Sequence, residues 1–245
     1  MSPTYPQIIP RPDNWEMGSP APWASLGEIS RRSIDLRRVL TSLEASGLLG
    51  PPPYPPRRSD VDPIVHDGAS SIIEFRHSAV LVALFEEEGE ARVVLTRRAT
   101  HLRTHKGEVS FPGGRIDEGE DSVQAALREA AEEVALDPTS VAVVGHLQPI
   151  ITLVSGALIQ PVIAVLDSRP TLKAAPAEVE RVFDVALADL LGDDVFHEER
   201  WRRPDLLALD PTSDSFPLWF FEISGEMVWG ATGRLLVDLL MTILG

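Results

Sequence analysis

The feature of this sequence that most constrains its fold is the stretch REAAEEVAL, residues 128–136, which reads as the end of a helix. Positions three and four apart lie on one helix face, so Glu129, Glu132 and Glu133 direct three carboxylates toward a common point. Each pair of like charges opposes the helix by roughly 0.2–0.5 kcal/mol, a penalty that a solvated helix tolerates. Arg128 also offers Glu132 a partner. The stretch alone therefore fits either a cation site or a solvated surface.

The residues before this helix favour a cation site. Gly113 and Gly114 permit backbone conformations that other residues avoid, so the chain can turn sharply and bring carbonyl groups close to a ligand. The spacing across residues 114–136 then resembles the signature of the Nudix hydrolase family, and we name this segment the Nudix box. The positions in register are Gly114, Glu120, Arg128, Glu129, Glu132, Glu133 and Leu136.

Two positions depart from the family signature. Ala130 is a small version of the aliphatic residue expected there, and Ala135 replaces the closing glycine. A left-handed backbone costs alanine roughly 1 kcal/mol relative to glycine. We therefore expect the helix to end in a different conformation while its glutamates stay in place.

The resemblance implies hydrolysis of a diphosphate that is linked to another moiety, with Mg²⁺ or Mn²⁺ as cofactor. The chain contains no cysteine, which agrees with the oxygen ligands that such hard cations prefer. The implied metal ligands are Gly114, Glu120, Glu129, Glu132 and Glu133. The implied catalytic residues are Arg128, Glu129 and Glu132, and Arg128 would orient the glutamates through salt bridges.

The group that accepts a proton from the attacking water stays open. Glu129 is one candidate, and a carboxylate from a distant segment, Glu198 or Glu199, is another. His197 stands beside these two glutamates and could join a catalytic cluster. An exposed loop is the favoured interpretation of this segment.

A cationic segment precedes the glycines in an otherwise acidic chain. Its four cations, which we assign to the phosphates of the substrate, are Arg97, Arg98, Arg103 and Lys106. The spacing across residues 94–114 is similar to the additional signature of coenzyme A diphosphatases within the Nudix family, with Arg98 and Arg103 at signature positions. Weaker similarity continues downstream, residues 178–191 included. The match to this subfamily therefore covers residues 77–245.

The subfamily resemblance implies hydrolysis of coenzyme A, or of its acyl or oxidised forms, to 3′,5′-ADP and 4′-phosphopantetheine. Two alternatives stay open. One is a Nudix hydrolase for another nucleoside diphosphate derivative, such as ADP-ribose or a dinucleotide. The other is a Nudix fold that serves as a binding or regulatory module with weak turnover. The aromatic residues Trp201, Trp219, Phe220, Phe221 and Trp229 could stack on adenine, but core packing is the favoured interpretation.

Proline divides the chain into two parts. The first 65 residues hold 12 of the 21 prolines, and helical spacing occurs there only over residues 25–46. Ser25 and Glu28 resemble a capping box, and Gly47 suits a left-handed cap. We predict that residues 1–68 form a proline-rich extension that contains one helix. This extension is expected to pack on a Nudix domain formed by residues 69–245.

The remaining sequence predicts an α+β fold with a mixed β-sheet sandwiched between helices. Residues 78–87 and 91–98 predict a hairpin, and a helix follows over residues 122–134 with Asp121 as its N-cap. A final helix is predicted over residues 229–244. The other predicted strands are residues 141–150, 158–166, 197–203 and 217–223.

Charge and hydropathy restrict the partners. A net charge of -15 argues against nucleic-acid binding, which needs a positive surface. No segment is long and apolar enough to span a bilayer, and the first residues do not resemble a secretory signal. We expect a cytoplasmic protein that acts on a small-molecule substrate. Whether it forms a homodimer stays open.

Overall fold

The computed structural model describes residues 7–52, 76–152, 156–202, 214–223 and 225–245. The helices are α1 (Glu28–Arg31), α2 (Leu36–Ala45), α3 (Ser122–Val134) and α4 (Gly230–Leu244). The strands are β1 (Trp15–Met17), β2 (Arg76–Glu87), β3 (Glu90–Arg98), β4 (Val109–Ser110), β5 (Gly113–Arg115), β6 (Val141–His146), β7 (Ile150–Thr152), β8 (Ala157–Leu166), β9 (Val179–Ala186), β10 (Phe196–Trp201), β11 (Phe216–Ile223) and β12 (Glu226–Val228). Among these helices, none has the length and apolar character needed to cross a membrane. The predicted boundary at residue 68 and most of the proline run at 51–56 lie outside the described residues.

Strand β2 is the centre of a mixed sheet, here called the large sheet. It pairs in parallel with β8 and antiparallel with β3 and β5. Beyond these neighbours, β8 pairs with β6 and β7, and β3 pairs with β4 and β9. The predicted hairpin of β2 and β3 is confirmed, and its turn has positive φ at Glu88 (54°) and Gly89 (80°). Positive φ at both turn residues suits the twist of a tight hairpin.

The two faces of the large sheet bury two different cores, because successive side chains of a strand point to opposite faces. On one face, α3 packs its alanines against residues that include Ala79, Leu81 and Val162. On the other face, α2 and α4 pack with Val93 and Leu95 of β3. The predicted α+β architecture, a mixed sheet between helices, is therefore confirmed.

A second sheet, here called the small sheet, pairs β1, from the N-terminal segment, with three strands from the C-terminal part of the chain. Its strand order is β1, β10, β11, β12, and every neighbouring pair is antiparallel. Phe196 and Phe221 face the core that contains Trp23, whereas Trp201 and Phe220 form a separate cluster. The core interpretation is confirmed for Trp201, Phe220 and Phe221, which are at most 3% exposed.

The N-terminal segment contains two helices where the sequence predicts one. Helix α2 starts after Asp35, whose carboxylate accepts a hydrogen bond from the Arg38 N–H at 2.7 Å. Between the helices, Ile34 is fully buried and its carbonyl accepts a hydrogen bond from the Ala91 N–H of β3. Because Val39 and Leu43 of α2 lie in the same core as α4, this segment is part of the fold's interior.

Three smaller predictions have different outcomes. Gly47 has a φ of 67°, which confirms the left-handed cap. The capping box of Ser25 is not formed, because α1 begins after Gly27 and has no side-chain cap. The strand predicted over residues 141–150 is two strands, β6 and β7, and residues 147–149 separate them.

Candidate active site

Helix α3 begins as the sequence predicts. The Asp121 carboxylate accepts a hydrogen bond from the Gln124 N–H at 2.8 Å, and the Asp121 N–H donates to the Gln124 side chain at 2.9 Å. These reciprocal bonds form a capping box, which satisfies two N–H groups at the helix start. The cap fixes where the helix begins and therefore which residues share its face.

The end of α3 overturns one expectation. Ala135 adopts a left-handed backbone, with φ 55° and ψ 32°, although alanine was expected to avoid it. The following chain returns along the helix end, where the N–H groups of Lys173 and Ala175 donate to the carbonyls of Val134 and Glu133. These bonds hold the exit geometry in spite of the alanine. Helix α3 thus ends in a left-handed conformation at some cost in backbone strain.

Arg128 gathers the carboxylates of the Nudix box. Its Nε and Nη2 donate to the two oxygens of Glu120 at 2.8 and 3.0 Å, and its Nη1 donates to Glu129 at 3.1 Å and Glu132 at 3.3 Å. The hydrogen bonds to Arg128 lower the pKa of Glu120. Nη2 also donates to the Arg115 carbonyl at 3.0 Å, which ties the helix to the strand after the glycines.

Glu129 packs directly against Gly114. A Cβ atom at position 114 would lie 2.4 Å from Oε1 of Glu129, so a larger residue would displace the carboxylate. Gly113 is equally restricted, because a Cβ there would lie 2.4 Å from the Ala79 carbonyl of β2. Burial raises the pKa of Glu129, and the hydrogen bond from Arg128 opposes that change. The two glycines therefore let the chain approach both β2 and helix α3.

Glu133 is the most buried carboxylate of the Nudix box, with a side chain that is 4% exposed. Its Oε2 accepts a hydrogen bond from the Gly113 N–H at 3.1 Å, and its Oε1 lies 3.7 Å from Nη1 of Arg98. Burial raises the pKa of Glu133 to about 7, although the Gly113 hydrogen bond and the charge of Arg98 both act against it. The carboxylate therefore has less positive charge nearby than its burial demands.

The donor atoms suit a hard divalent cation. Glu129, Glu132 and Glu133 follow one another on one face of α3 beside Gly114, and all of their donors are oxygen. In the part of the chain that the structure describes, no three acidic or histidine side chains already converge as in a closed metal site. Arg128 instead occupies oxygens of Glu129 and Glu132. The residues fit Mg²⁺ or Mn²⁺, and cation binding there would compete with Arg128.

The structure separates two of the four predicted phosphate-binding cations. Arg98, on the α3 face of β3, reaches toward Glu133. Arg97 points to the opposite face, where its Nη1 lies 2.5 Å from Glu226 and its Nη2 3.2 Å from Glu180. Arg97 is therefore not brought to the carboxylates of α3.

The other two cations lie on the exposed loop of residues 99–108, which joins β3 to β4. Arg103 and Lys106 are exposed, and neither forms an ion pair with another described residue. The loop is fastened to the segment before β9, since the Ala99 N–H donates to the Glu178 carbonyl at 2.8 Å. Nε2 of His101 also lies 3.2 Å from the Ala177 carbonyl. Two loops therefore meet beside the end of α3.

Glu178 is an acidic residue of the site that sequence reasoning missed. It is exposed, and its segment bonds to α3 through the Ala175 N–H and the Glu133 carbonyl, 2.8 Å apart. After burial and the nearer charges, the charge of Glu178 also helps to raise the pKa of Glu129 and Glu133. No local motif marks this residue, because only the tertiary contact between its segment and α3 brings it near.

The other candidate bases, Glu198 and Glu199, lie in the small sheet and accept hydrogen bonds from residues there. Glu199 is 1% exposed and pairs with Arg11, and it accepts a hydrogen bond from Nε1 of Trp201 at 2.7 Å. Glu198 accepts a hydrogen bond from Nε of Arg200 at 2.9 Å. The structure therefore does not bring either glutamate to the Nudix box.

The prediction that His197 lies on an exposed loop is wrong. His197 belongs to β10, is partly buried and stacks on Phe220 with ring centroids 4.9 Å apart. The alternation of β10 places it on the same face of the small sheet as Glu199, from which its Nε2 is 3.4 Å away. The histidine is thus part of the small sheet's packing.

Comparisons with known proteins identify the family of this chain. The family model described as the NUDIX domain matches residues 75–208. The protein named "Uncharacterized Nudix hydrolase NudL" of Escherichia fergusonii is 36% identical over 172 residues, which are 70% of this chain and 84% of that protein. The NudL of Escherichia coli O6:H1 is 35% identical over the same shares. Among solved structures, RenU, a Nudix hydrolase from M. smegmatis, is 23% identical over 48% of this chain and 75% of its own, with a TM-score of 0.42.

Proposed function

Because this chain belongs to the Nudix hydrolase family, we propose that it hydrolyses the diphosphate bond of coenzyme A, or of its acyl or oxidised derivatives, with Mg²⁺ or Mn²⁺. The products are 3′,5′-ADP and 4′-phosphopantetheine, or its acylated form. One observation carries the proposal: Glu133 is nearly fully buried beside Gly113, and Arg98 is the guanidinium that faces it. A buried carboxylate with too little positive charge would help to hold a divalent cation, and the arginine beside it would suit the phosphate groups of the substrate.

The metal would be held by the carboxylates of Glu129, Glu132 and Glu133, with the Gly114 carbonyl beside them and Glu120 in support. When bound, such a cation neutralises phosphate oxygens and lowers the pKa of a bound water. Arg128 has a different role, because it already orients Glu120, Glu129 and Glu132 before any ligand arrives. Arg128 thereby holds the three side chains together, and its bonds to Glu129 and Glu132 are the ones that a bound cation would replace.

The phosphates of coenzyme A would meet Arg98, Arg103 and Lys106. Arg98 lies at the carboxylates, so it suits the diphosphate, whereas Arg103 and Lys106 lie on the exposed loop and suit the 3′-phosphate. Arg97 is left out of this set because it pairs with Glu226 on the opposite face of β3. The subfamily-like spacing of residues 94–114 supports coenzyme A over other diphosphates.

Water would attack one phosphorus of the diphosphate, and the bond from that phosphorus to the bridging oxygen would break. We assign the acceptor of the water's proton to Glu178. Glu198 and Glu199 are bonded within the small sheet, and Glu129 is bonded to Arg128, whereas Glu178 is exposed beside α3. A general base must reach the attacking water, and an exposed loop carboxylate can do so.

Two alternatives share the same site. Hydrolysis of ADP-ribose or a dinucleotide would use the same carboxylates but no cation for a 3′-phosphate. A binding or regulatory module would retain the fold without turnover, and the pairing of Arg128 with three glutamates is compatible with such a resting state.

An activity panel distinguishes these functions. The purified protein is incubated with Mg²⁺ or Mn²⁺ at concentrations on the order of millimolar. With each metal, the substrate is coenzyme A, acetyl-coenzyme A, ADP-ribose or NADH, and one sample has no substrate. Products are identified by mass spectrometry. Release of 4′-phosphopantetheine and 3′,5′-ADP supports the proposal. Cleavage of ADP-ribose or NADH without cleavage of coenzyme A would replace it with the first alternative.

A double variant tests the carboxylates themselves. Glu132→Gln with Glu133→Gln should reduce kcat by at least about 100-fold, because two metal ligands lose their charge. Circular dichroism should stay native-like, since glutamine fills the same space. Glu86→Gln is the matched control, because Glu86 bonds to the Leu36 N–H far from α3. Undiminished turnover in the double variant would refute the metal-site assignment.

A further inference from the structure

Glu226 forms a buried ionic contact between the two sheets. Its side chain is 1% exposed, and one oxygen, Oε1, lies 2.5 Å from Nη1 of Arg97 and 2.7 Å from Nη1 of Arg181. Glu226 belongs to β12 of the small sheet, whereas Arg97 and Arg181 are opposed residues of β3 and β9 in the large sheet. The carboxylate therefore fastens the small sheet to the ends of two strands of the large one.

Those two strand ends carry the loops that flank the Nudix box. Residues 99–108 follow β3, and the segment with Glu178 precedes β9. The strand pairing shifts its register directly after Arg97, so that Arg98 is opposed to Val179. The residue left without a partner is Glu180 of β9, and the alternation of β3 turns Arg98 toward Glu133 while Arg97 turns toward Glu226. A displacement of Arg97 or Arg181 would therefore move the phosphate-binding side of the site.

The contact is poorly arranged for stability alone. Oε2 of Glu226 and Nε of Arg97 are both buried without a hydrogen-bond partner in the described structure. Buried ion pairs gain little over apolar packing even when all of their atoms are satisfied. Because both guanidinium groups bind the same oxygen, the contact fixes the relative position of β3 and β9, the strands that carry Arg97 and Arg181.

We propose that Glu226 is a positioning residue, which sets Arg98 and the 99–108 loop for substrate phosphates through Arg97 and Arg181. The inference rests on the proposed function, since it concerns the phosphate-binding side of the same site. It also accounts for the small sheet, which contributes none of the Nudix box carboxylates yet contacts β4 and β3 at the site's edge.

The test compares Glu226→Gln with Glu199→Gln. Both positions hold buried, arginine-paired carboxylates of the small sheet, but Glu199 pairs with Arg11 of the N-terminal segment, whereas Glu226 pairs with arginines of the large sheet. We expect Glu226→Gln to raise KM for coenzyme A about tenfold with kcat nearly unchanged, because binding geometry changes while the carboxylates of α3 stay in place. Glu199→Gln should lower the melting temperature similarly and leave KM unchanged.

Each result has a separate meaning. If wild-type protein cleaves ADP-ribose instead, the proposed substrate fails, and the same KM comparison is made with ADP-ribose. If KM is equal in wild type and Glu226→Gln, or rises equally in Glu199→Gln, the positioning role is refuted. Should Glu226→Gln not fold, Arg181→Gln replaces it, because the Arg181 side chain is 42% exposed. That variant should raise KM in the same direction by a smaller factor.

Discussion

The two faces of strand β3 differ in how closely positive groups surround a buried glutamate. On one face, Glu226 has two guanidiniums within 2.7 Å. On the other, Glu133 has one backbone N–H at 3.1 Å and a guanidinium no closer than 3.7 Å. Both carboxylates are almost fully buried. Glu226 thus has two arginine side chains close to one of its oxygens, whereas Glu133 has little positive charge beside it, and we propose that a ligand supplies the rest.

This difference shows that burial of a charge does not by itself identify a functional site. What distinguishes the site is a buried charge whose partners are too few, because such a group gains free energy when a counter-ion binds. By that criterion, we propose that the α3 face of β3 binds the ligand, and that Glu226 positions that face from the opposite side. Replacing Glu226 with glutamine and replacing Glu133 with glutamine should therefore change the free energy of unfolding in opposite directions.

The largest effect is expected from neutralising the compensated charge. Glu226→Gln should destabilise the protein by about 3–5 kcal/mol, because it leaves Arg97, whose side chain is 18% exposed, without its buried carboxylate partner. Urea unfolding followed by circular dichroism measures the change. Glu180→Gln is the control, since this partner of Arg97 is 41% exposed and should cost less than about 1 kcal/mol. Equal losses in the two variants would contradict the comparison.

The opposite sign is expected for Glu133→Gln in the absence of metal. The pKa of Glu133 is raised from 4.5 to about 7, so the folded state binds a proton that the unfolded state has lost between these values. The stability of the wild type therefore falls as pH rises from about 4.5 to 7, by about 3 kcal/mol in all. Glutamine removes this loss and should stabilise the protein by a similar amount at pH 8 in EDTA.

The two unfolding curves should converge as the pH approaches 5, where Glu133 is protonated in the folded wild type. Adding Mn²⁺ at pH 8 should narrow the gap, because the cation binds the wild type more tightly than the variant. Urea midpoints at pH 5 and pH 8 are the measurement. If the difference in urea midpoint between the wild type and Glu133→Gln is the same at both pH values, the pKa of Glu133 is not raised in the folded protein.

A tenfold effect is expected from the arginine on the binding face. Arg98→Gln should lower kcat/KM for coenzyme A about tenfold, which corresponds to ~1.4 kcal/mol of transition-state binding. Arg92→Gln is the matched control on the same strand, because Arg92 pairs with Asp184 far from the Nudix box. Loss of activity in the control alone would reverse the assignment of the two arginines.

The smallest effect is expected at the end of α3. Ala135→Gly should stabilise the protein by about 1 kcal/mol, because glycine adopts the left-handed conformation without strain. Activity should not change, since the Glu133 carbonyl remains bonded to Ala175. A shift of the urea midpoint with unchanged kcat would separate the stability of the helix end from the chemistry of its face.

The local elements of this fold could be predicted from sequence, because local rules decide them. The cap at Asp121, the start of α3 and the β2–β3 hairpin follow from side-chain preference and hydrophobic spacing. The same holds for the glutamates of the box, whose common face follows from helical geometry. The order Gly114, Glu120, Arg128 and Glu129 is a motif within one continuous segment.

Other features could not be predicted, because distant segments decide them. Arg97 and Arg98 look like one cationic patch in sequence, yet adjacent residues of a strand point to opposite faces. Glu178 joins the site only through the pairing of its segment with β3 and α3. Ala135 was expected to follow its intrinsic preference, and the tertiary hydrogen bonds at the helix end overrode that preference.

The pairing of β1 with β10 also has a consequence for how the chain reaches its native state. Trp15 is opposed to Trp201, and the Gln7 side chain bonds to the Met227 carbonyl and to Nε1 of Trp229. During synthesis β1 therefore cannot pair until β10, at residues 196–201, has been made. Contacts so distant in sequence form slowly. Until they form, the exposed side chains of Ile8 and Met17 stay next to an unpaired strand, so this segment is where a chaperone would be needed most.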